Sequence, residues 1–525
     1  MIESQPGSTL NLTPYVGRWV AVVRERVVGV GQTADEARQL ALHNRPKEAP
    51  EVFFVSVERQ IAQETAKIPL IAQVFDLAQA YKVEIYLVGG SVRDLLLGRL
   101  THDLDFAVDG DGLNLARRIA NALHAAYVPI DRERRTGRVV LKNSNMYIDV
   151  AALRGADLLA DLRDRDFTLN AIALARTGDG NWQLIDPLGG QTDLEQGILR
   201  AASATSLDHD PLRTMRAVRM CAQFNCTLYP DTEHSLRAAA PQLKQVSAER
   251  IRDEWFKILA LPGAAQAIRR LDDLTLLPAI IPHFAIDNPL RPAFNHAAAT
   301  VEALEQVWDS LTRQRNAAAL QPLQDFASHL VQRYAATVCD ERSHLMLLKC
   351  AALLHQIDPD PARSAQIAAG LAREWRCSNR EIELLRTAIT AQAELPALVA
   401  QARPSRRRVY RFYQKSGAYG IDAALVALAN KRTRYTAQPN DAQWRKWTVT
   451  VARLVEAYCL RYQDMVNPPL LLTGSDLIAL GIEPGPQMGA LLSRLREEQA
   501  AGKIHDREQA LAYVTAQHQT QKGEQ

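Results

Sequence analysis

The stretch EIYLVGGSVRDLLLGRLTHDLDFAV, residues 84 to 108, restricts the fold of this chain more than any other segment. An apolar run ends in Gly89 and Gly90, an Arg-Asp segment with helical spacing follows, and a second apolar run carries Asp103 and Asp105. The pattern reads as strand, glycine turn, helix, strand. Alternate residues of a strand share a face, so Asp103 and Asp105 project to one side while Leu104 and Phe106 project to the other. Two carboxylates that close repel unless a cation lies between them, and an all-oxygen site with room for phosphates suits Mg²⁺. Asp149, on the strand MYIDVAAL, is the candidate third acid of a metal pair that would activate an attacking hydroxyl and stabilise a leaving pyrophosphate. Taken without the glycines, the acids also fit a plain solvated edge strand.

The glycines turn the reading toward a triphosphate. Between a strand and a helix start they let backbone N–H groups approach a phosphate closely, and Ser91 beside them is placed to cap a helix whose positive end faces the same anion. Arg93 in the first turn would reach a phosphate, with Asp94 orienting it. Around this motif the periodicity predicts further alternation: a helix in LIAQVFDLAQAY, a helix in LNLARRIANALHA, and strands in RVVLKN and MYIDVAAL, an α+β sheet layer. Beyond about Leu199, Ala, Leu and Arg at helical spacing dominate, punctuated by prolines, and the rest of the chain is expected to be helical, with the polar end QHQTQKGEQ frayed. Ahead of the layer, YVGRWVAVVRERVVGVG reads as a β-hairpin, TADEARQLALHN as a helix capped by Thr33, and EVFFVSV as a closing strand: a small ββαβ appendage without assignable chemistry.

Bulk properties exclude several classes. With 525 residues the chain exceeds what one core supports. No apolar run is long enough for a membrane span and MIESQPGSTL has no secretory character, so a cytoplasmic protein without membrane partners is the expectation. The six cysteines form no CxxC pair and are read as reduced thiols. A net charge of +3 names no polyanionic partner, so clustered arginines must carry that argument.

LVGGSVRDLLLG…HDLDFAV resembles the first signature of the class II tRNA nucleotidyltransferase and bacterial poly(A) polymerase family, a branch of the polymerase-β-like nucleotidyltransferases. Further matches follow in the family's order. RDFTLNAIAL (165 to 174) resembles its RRDFTINAMA, DPLGGQTDL (186 to 194) its DPxGGxxDL, HDPLRTMRAVR (209 to 219) its EDPLRxLRAxR, and SAERIRDEWFKIL (247 to 259) its ERIxxEL segment. The resemblance implies that Gly89, Gly90, Ser91, Arg93, Asp103 and Asp105 hold the triphosphate and metal. It puts Arg165 and Asp166 near sugar and phosphates, with Asn170 close by; a structural ion pair at a helix start is their alternative. It makes Asp210 and Arg213, spaced i and i+3 on one helix face, the readers of cytosine and adenine, with Arg216 and Arg219 beyond them. Leaving a buried donor or acceptor unpaired costs ~1 to 3 kcal/mol, enough to reject the wrong base. His209 stands where the family usually has Glu, so the aim of Arg213 must rest on something else.

The implied architecture is a polymerase-β-like α+β nucleotidyltransferase head (63–200) behind the 1–62 appendage, then an all-α neck (201–285), body (286–400) and tail (401–525). FNHAAATVEALEQV and LLKCAALLHQID resemble a helical HD-type domain, but Gln356 replaces the metal-binding Asp beside His355, and His296 is left without that partner acid. RPSRRRVYRFYQKSG (403 to 417) offers Arg406, Arg407, Arg408 and Arg411 to RNA phosphates, while Tyr410, Phe412 and Tyr413 either anchor the helix or stack on bases. The expected activity is addition of CCA to tRNA 3′ ends from CTP and ATP without a template. The link between Asp149 and Arg165 is short where many members that add the final A carry a longer loop; DRERRTGR (131 to 138) is a possible substitute, and CC-only, A-only and poly(A) addition share the motifs. An RNA-binding protein with an inert head is the reading from outside the enzymes.

Overall fold

The computed structural model describes residues 10–142, 144–313, 320–401, 403–434 and 441–523. The chain divides into two compact units, Met1–Arg213 with Phe224–Ala239, and Thr214–Gln223 with Ala240–Gln525.

The first unit opens with the expected ββαβ appendage. Strands β1 (Trp19–Val23) and β2 (Arg26–Gly31) pair antiparallel around Arg24 and Glu25, both at positive φ, the conformation that matches a tight hairpin to strand twist. The Thr33 hydroxyl accepts from the Glu36 N–H and starts the helix Ala34–Asn44. That helix lies directly on β2: a Cβ on Gly29 would come 2.1 Å from the Ala37 carbonyl oxygen. Strand β3 (Glu51–Phe54) closes the sheet in the order β2-β1-β3.

A seven-stranded sheet follows, built from β4 (Ile85–Val88), β5 (Asp103–Val108), β6 (Ala126–Asp131), β7 (Thr136–Val140), β8 (Tyr147–Ala152), β9 (Ala173–Arg176) and β10 (Trp182–Ile185). Its order is β10-β9-β4-β5-β8-β7-β6, antiparallel throughout except for the parallel pair β5 and β8. One face is a deep core: Leu104, Phe106, Ile148 and Val150 pack with Ile71 and Phe75 of the helix Pro69–Ala80 and with Leu115 and Ile119 of the helix Gly112–Ala122. Each such fully buried side chain contributes ~1.5–3 kcal/mol. The other face has a thinner apolar cluster, among it Val88, Ala107 and Leu162. Alternation along β5 therefore puts Asp103 and Asp105 on this thinner face.

Among its described residues the second unit is helical apart from a short hairpin, Thr337–Cys339 with Arg342–Ser343. Its helix Gly420–Arg432 is buried from Gly420 through Ala429 and so lies inside its neighbours. The helix Asn379–Ala391 starts with a capping box, Ser378 with Glu381, and Arg342 grips the buried Glu381 carboxylate at 2.6 and 3.2 Å. Leu472, Leu477, Leu491 and Leu495 are part of a smaller core toward the C-terminus. The polar end, expected to fray, continues the helix Arg507–Gly523, whose first half is seated by Ala510 and Val514; the last two residues lie outside the described ones. No helix among the described residues is long and apolar enough to cross a membrane, and all six cysteines are free thiols.

Candidate active site

Gly89 follows β4 with φ +74 and ψ −139, a conformation L side chains rarely adopt, and the helix Gly90–Leu96 starts immediately after it. A Cβ on Gly89 would sit 2.9 Å from Arg165 Nη1 and 3.6 Å from Asp105 Oδ2; one on Gly90 would sit 3.3 Å from Arg93 Nη2. Two guanidinium groups thus face the glycine turn. Ser91 does not cap the helix, since Gly89 holds the N-cap position without a side-chain bond. Its hydroxyl instead donates to the Asp103 carbonyl and accepts from the Asp105 N–H, both at 2.9 Å, while Thr101 Oγ1 also donates to the Asp103 carbonyl. Ser91 is buried because it stitches the helix to the acid-bearing strand, a job the sequence pattern does not reveal.

Each arginine at the turn is held by a carbonyl or carboxylate partner. Arg93 donates through Nε and Nη2 to Asp94 Oδ1, as expected, and through Nη1 to Asn170 Oδ1 at 2.6 Å. Asn170 in turn donates to Asp166 Oδ1 at 2.9 Å, so Asp166 acts on Arg93 through the amide. Arg165 is not paired with Asp166. Its Nε and Nη2 donate to Asp161, a residue of the helix Leu158–Arg163 that sequence reasoning passed over.

Asp103 and Asp105 receive no hydrogen bond from a basic side chain among the described residues. Burial pushes Asp105 up to about 6, reinforced by the nearby Asp149 and Asp103 carboxylates and opposed by Arg165 and Arg138. A carboxylate pair held on one strand face without a hydrogen-bonded basic partner is what a divalent cation fits. Asp149 is different. It is the register partner of Asp105 on β8, but Arg138, opposite it on β7, donates Nε to Oδ1 at 2.8 Å and Nη2 to Oδ2 at 2.7 Å. Asp149, the candidate third acid, is thus held by a bidentate pair, and no three His, Cys, Asp or Glu side chains among the described residues form a metal group. Nothing in a one-strand pattern signals Arg138, because the contact depends on the β7–β8 register.

Asp210 and Arg213 do not share a helix face. Asp210 is extended, φ −149 and ψ 96, after the helix Ser206–His209, and accepts from the Leu212 N–H; Arg213 opens the next helix, Arg213–Phe224. The Pro211 between them breaks the helix the i, i+3 spacing suggested. Arg213 is buried, with Nη1 donating to the carbonyls of Arg165 and Ser206 and to Ser206 Oγ, and Nη2 to the Asp164 carbonyl. Its aim rests on Ser206 and these carbonyls, while His209 Nδ1 lies 3.0 Å from Asp164 Oδ1. Arg216 and Arg219 fall in the second unit, where Arg219 is committed to Glu254 and Gln223.

In the second unit the basic helix Arg406–Ser416 splits its arginines. Arg406 donates to the carbonyls of Ala500 and Asp464, and Arg407 is bound to Glu497 and Glu498. These two, half-buried, are tied to the tail by those bonds. Arg408 and Arg411 are exposed, Arg411 with one ion pair to Glu497. Tyr410, Phe412 and Tyr413 are buried, and Tyr413 donates to the Leu454 carbonyl, so the rings anchor the helix. In the HD-like region His296 Nε2 meets Asn430 Oδ1 at 2.9 Å, and burial holds His355 down to about 4.

Comparison with known proteins adds names to this geometry. The family described as "Poly A polymerase head domain" matches residues 85–200, and "Probable RNA and SrmB- binding site of polymerase A" matches 225–287. A CC-adding tRNA nucleotidyltransferase of Geobacter sulfurreducens is 32% identical over 447 residues, covering 85% of this chain and 95% of the relative. An A-adding tRNA nucleotidyltransferase of Deinococcus radiodurans is 31% identical over 82% of this chain and 94% of its own length. The Thermotoga maritima CCA-adding enzyme complexed with tRNA shares the fold at TM-score 0.61 and 22% identity, covering 88% of this chain and 98% of that one.

Proposed function

This chain belongs to the tRNA nucleotidyltransferase family built on the poly(A) polymerase head, and from that premise we propose that it adds the CCA nucleotides to tRNA 3′ ends from CTP and ATP without a nucleic-acid template. The observation that carries the reading is the strand face where Asp103 and Asp105 accept no hydrogen bond from a basic side chain among the described residues, beside a glycine turn faced by Arg93 and Arg165.

In the reaction the terminal ribose 3′-hydroxyl attacks the α-phosphate, a new phosphodiester forms, the α–β phosphoanhydride breaks, and pyrophosphate departs. The glycine turn admits the triphosphate because no Cβ occupies the space in front of Arg165, and the two guanidinium groups balance its charge. Ser91 fixes the backbone of both acids. Asp103 and Asp105 would hold Mg²⁺, which supplies charge stabilisation at the phosphates and a more acidic attacking hydroxyl. Asp149 serves as an electrostatic neighbour of Asp105, tied to Arg138. Arg213 is the candidate base reader, steadied by Ser206. Residues 63–200 act as catalytic head, 201–285 as neck, and 286–400 with 401–525 as the tRNA-gripping body and tail. A cytoplasmic location agrees with that substrate.

A second reading, CC addition alone, is favoured by the link between β8 and the helix Leu158–Arg163, which is only residues 153–157, and by the name of the Geobacter relative. Purified protein incubated with tRNA lacking CCA and with each labelled triphosphate decides between them. Ordered CCA supports the first reading, arrest after CC the second, and long A tracts would indicate poly(A) addition. Binding of tRNA with no incorporation at all would leave an RNA-binding protein and overturn both.

A further inference from the structure

We propose that Asp161 is the positioning residue of the triphosphate site, holding Arg165 in one orientation before substrate arrives. The inference rests on the nucleotidyltransferase reading above and deepens it. Asp161 is 1% exposed, and a buried carboxylate is retained only with partners that answer its charge. Its Oδ2 accepts from Arg165 Nε at 2.9 Å and Nη2 at 2.8 Å, and its Oδ1 accepts from the Arg154 backbone N–H at 3.1 Å. The Asp157 side chain accepts from the Ala160 N–H, which starts the helix carrying Asp161. The carboxylate is therefore itself immobile.

What distinguishes this pair from a structural bridge is what it leaves over. Asp161 takes one edge of the guanidinium, and Nη1 remains on the other, directed at the space a Cβ of Gly89 would occupy, 2.9 Å away. Gly89 is one of the two glycines that open the phosphate turn, and Asp105 Oδ2 borders the same space. The backbone of Arg165 is pinned as well, because its carbonyl accepts from Arg213 Nη1 at 3.1 Å. An arginine free to rotate would lose rotamer entropy on gripping a phosphate; one already locked loses little, and the difference appears as affinity. The triphosphate pocket is thus prepared from behind by a residue that never touches the nucleotide.

The test uses the full chain as wild type, Asp161→Asn, Arg165→Gln and the double variant, with CTP binding measured by calorimetry without tRNA, alongside KM, kcat and thermal midpoint. Asp161→Asn is expected to weaken CTP binding and raise KM about ten- to a hundredfold, the cost of misplacing a charge-bearing group, with a much smaller change in kcat. The double variant should bind CTP no worse than Arg165→Gln alone, since a residue acting only through another has nothing further to lose. Asp161→Glu keeps the charge but shifts the guanidinium, so its affinity should fall between wild type and Asp161→Asn; it replaces the Asn variant in the cycle if that one does not fold. Wild-type CTP affinity in both Asp161 variants, or additive losses in the double variant, overturns the inference while leaving the enzyme reading intact. A wild-type chain that does not bind CTP overturns both.

Discussion

Arg138 and Asp149 face each other across β7 and β8, Nε on Oδ1 at 2.8 Å and Nη2 on Oδ2 at 2.7 Å, and this pairing sets the charge balance beside Asp105. Asp105 and Asp149 are register partners in the parallel pair of strands, so the guanidinium that occupies Asp149 also tempers the repulsion felt by Asp105. Arg138→Gln releases a carboxylate next to one already raised to about 6, and Asp105 should titrate higher still. The pH profile of CMP incorporation at limiting Mg²⁺ is expected to move to higher pH in this variant, by about one unit. An unchanged profile would mean that Arg138 does not act on the acid pair.

Asp105 also fixes a sign for stability against pH. A carboxyl group raised from 3.8 to about 6 binds its proton more tightly in the folded chain than in the unfolded one. Its contribution to stability is complete below the unfolded value and is lost as pH rises through about 6. In metal-free buffer at neutral pH, Asp105→Asn should therefore melt higher than wild type, by roughly 5 °C, and the advantage should vanish near pH 4. Thermal melts across that range check it.

The same variant, and Asp103→Asn, should abolish incorporation while tRNA binding persists. Without either acid the site loses the charge that holds a cation, and the expected fall is about a thousandfold or more. Primer-extension assays paired with filter binding separate the two effects; equal loss of tRNA binding would point to a misfolded head instead.

Arg213 predicts a double phenotype. It is buried and donates to the carbonyls of Asp164, Arg165 and Ser206, so Arg213→Ala should cost about 2–4 kcal/mol of stability in the head. It should also raise incorporation of GMP and UMP relative to CMP. Melting curves and competition between triphosphates measure the two, and loss of stability alone would assign Arg213 to the scaffold.

In the tail, Arg406→Ala should lower stability with little change in tRNA affinity, because its donors serve the Ala500 and Asp464 carbonyls. Arg408→Ala and Arg411→Ala should do the reverse, weakening tRNA binding and reducing its salt slope by about one each. Equal effects from all three would remove the distinction between clamp and contact.

Patterns confined to one element were legible without coordinates. The period-2 runs, the Gly89–Gly90 turn and the Thr33 cap came through as read, as did the shared face of Asp103 and Asp105, because each follows from backbone geometry within a few residues. Asp210 and Arg213 failed as a helix pair because Pro211 intervenes, and that proline was visible.

The amino-acid order by itself determined the two-faced sheet and the placing of two acids beside a glycine turn, since alternation and steric freedom are local properties. Only the tertiary structure decided which charges those acids would meet. Arg138 reaches Asp149 through the β7–β8 register, and Ser91 reaches β5 by helix packing. Asp161 holds Arg165 four residues on, a local pair, but only the fold brings the free Nη1 of that guanidinium to Gly89. Electrostatics depends on distance through space, and distance through space is what a linear pattern does not contain.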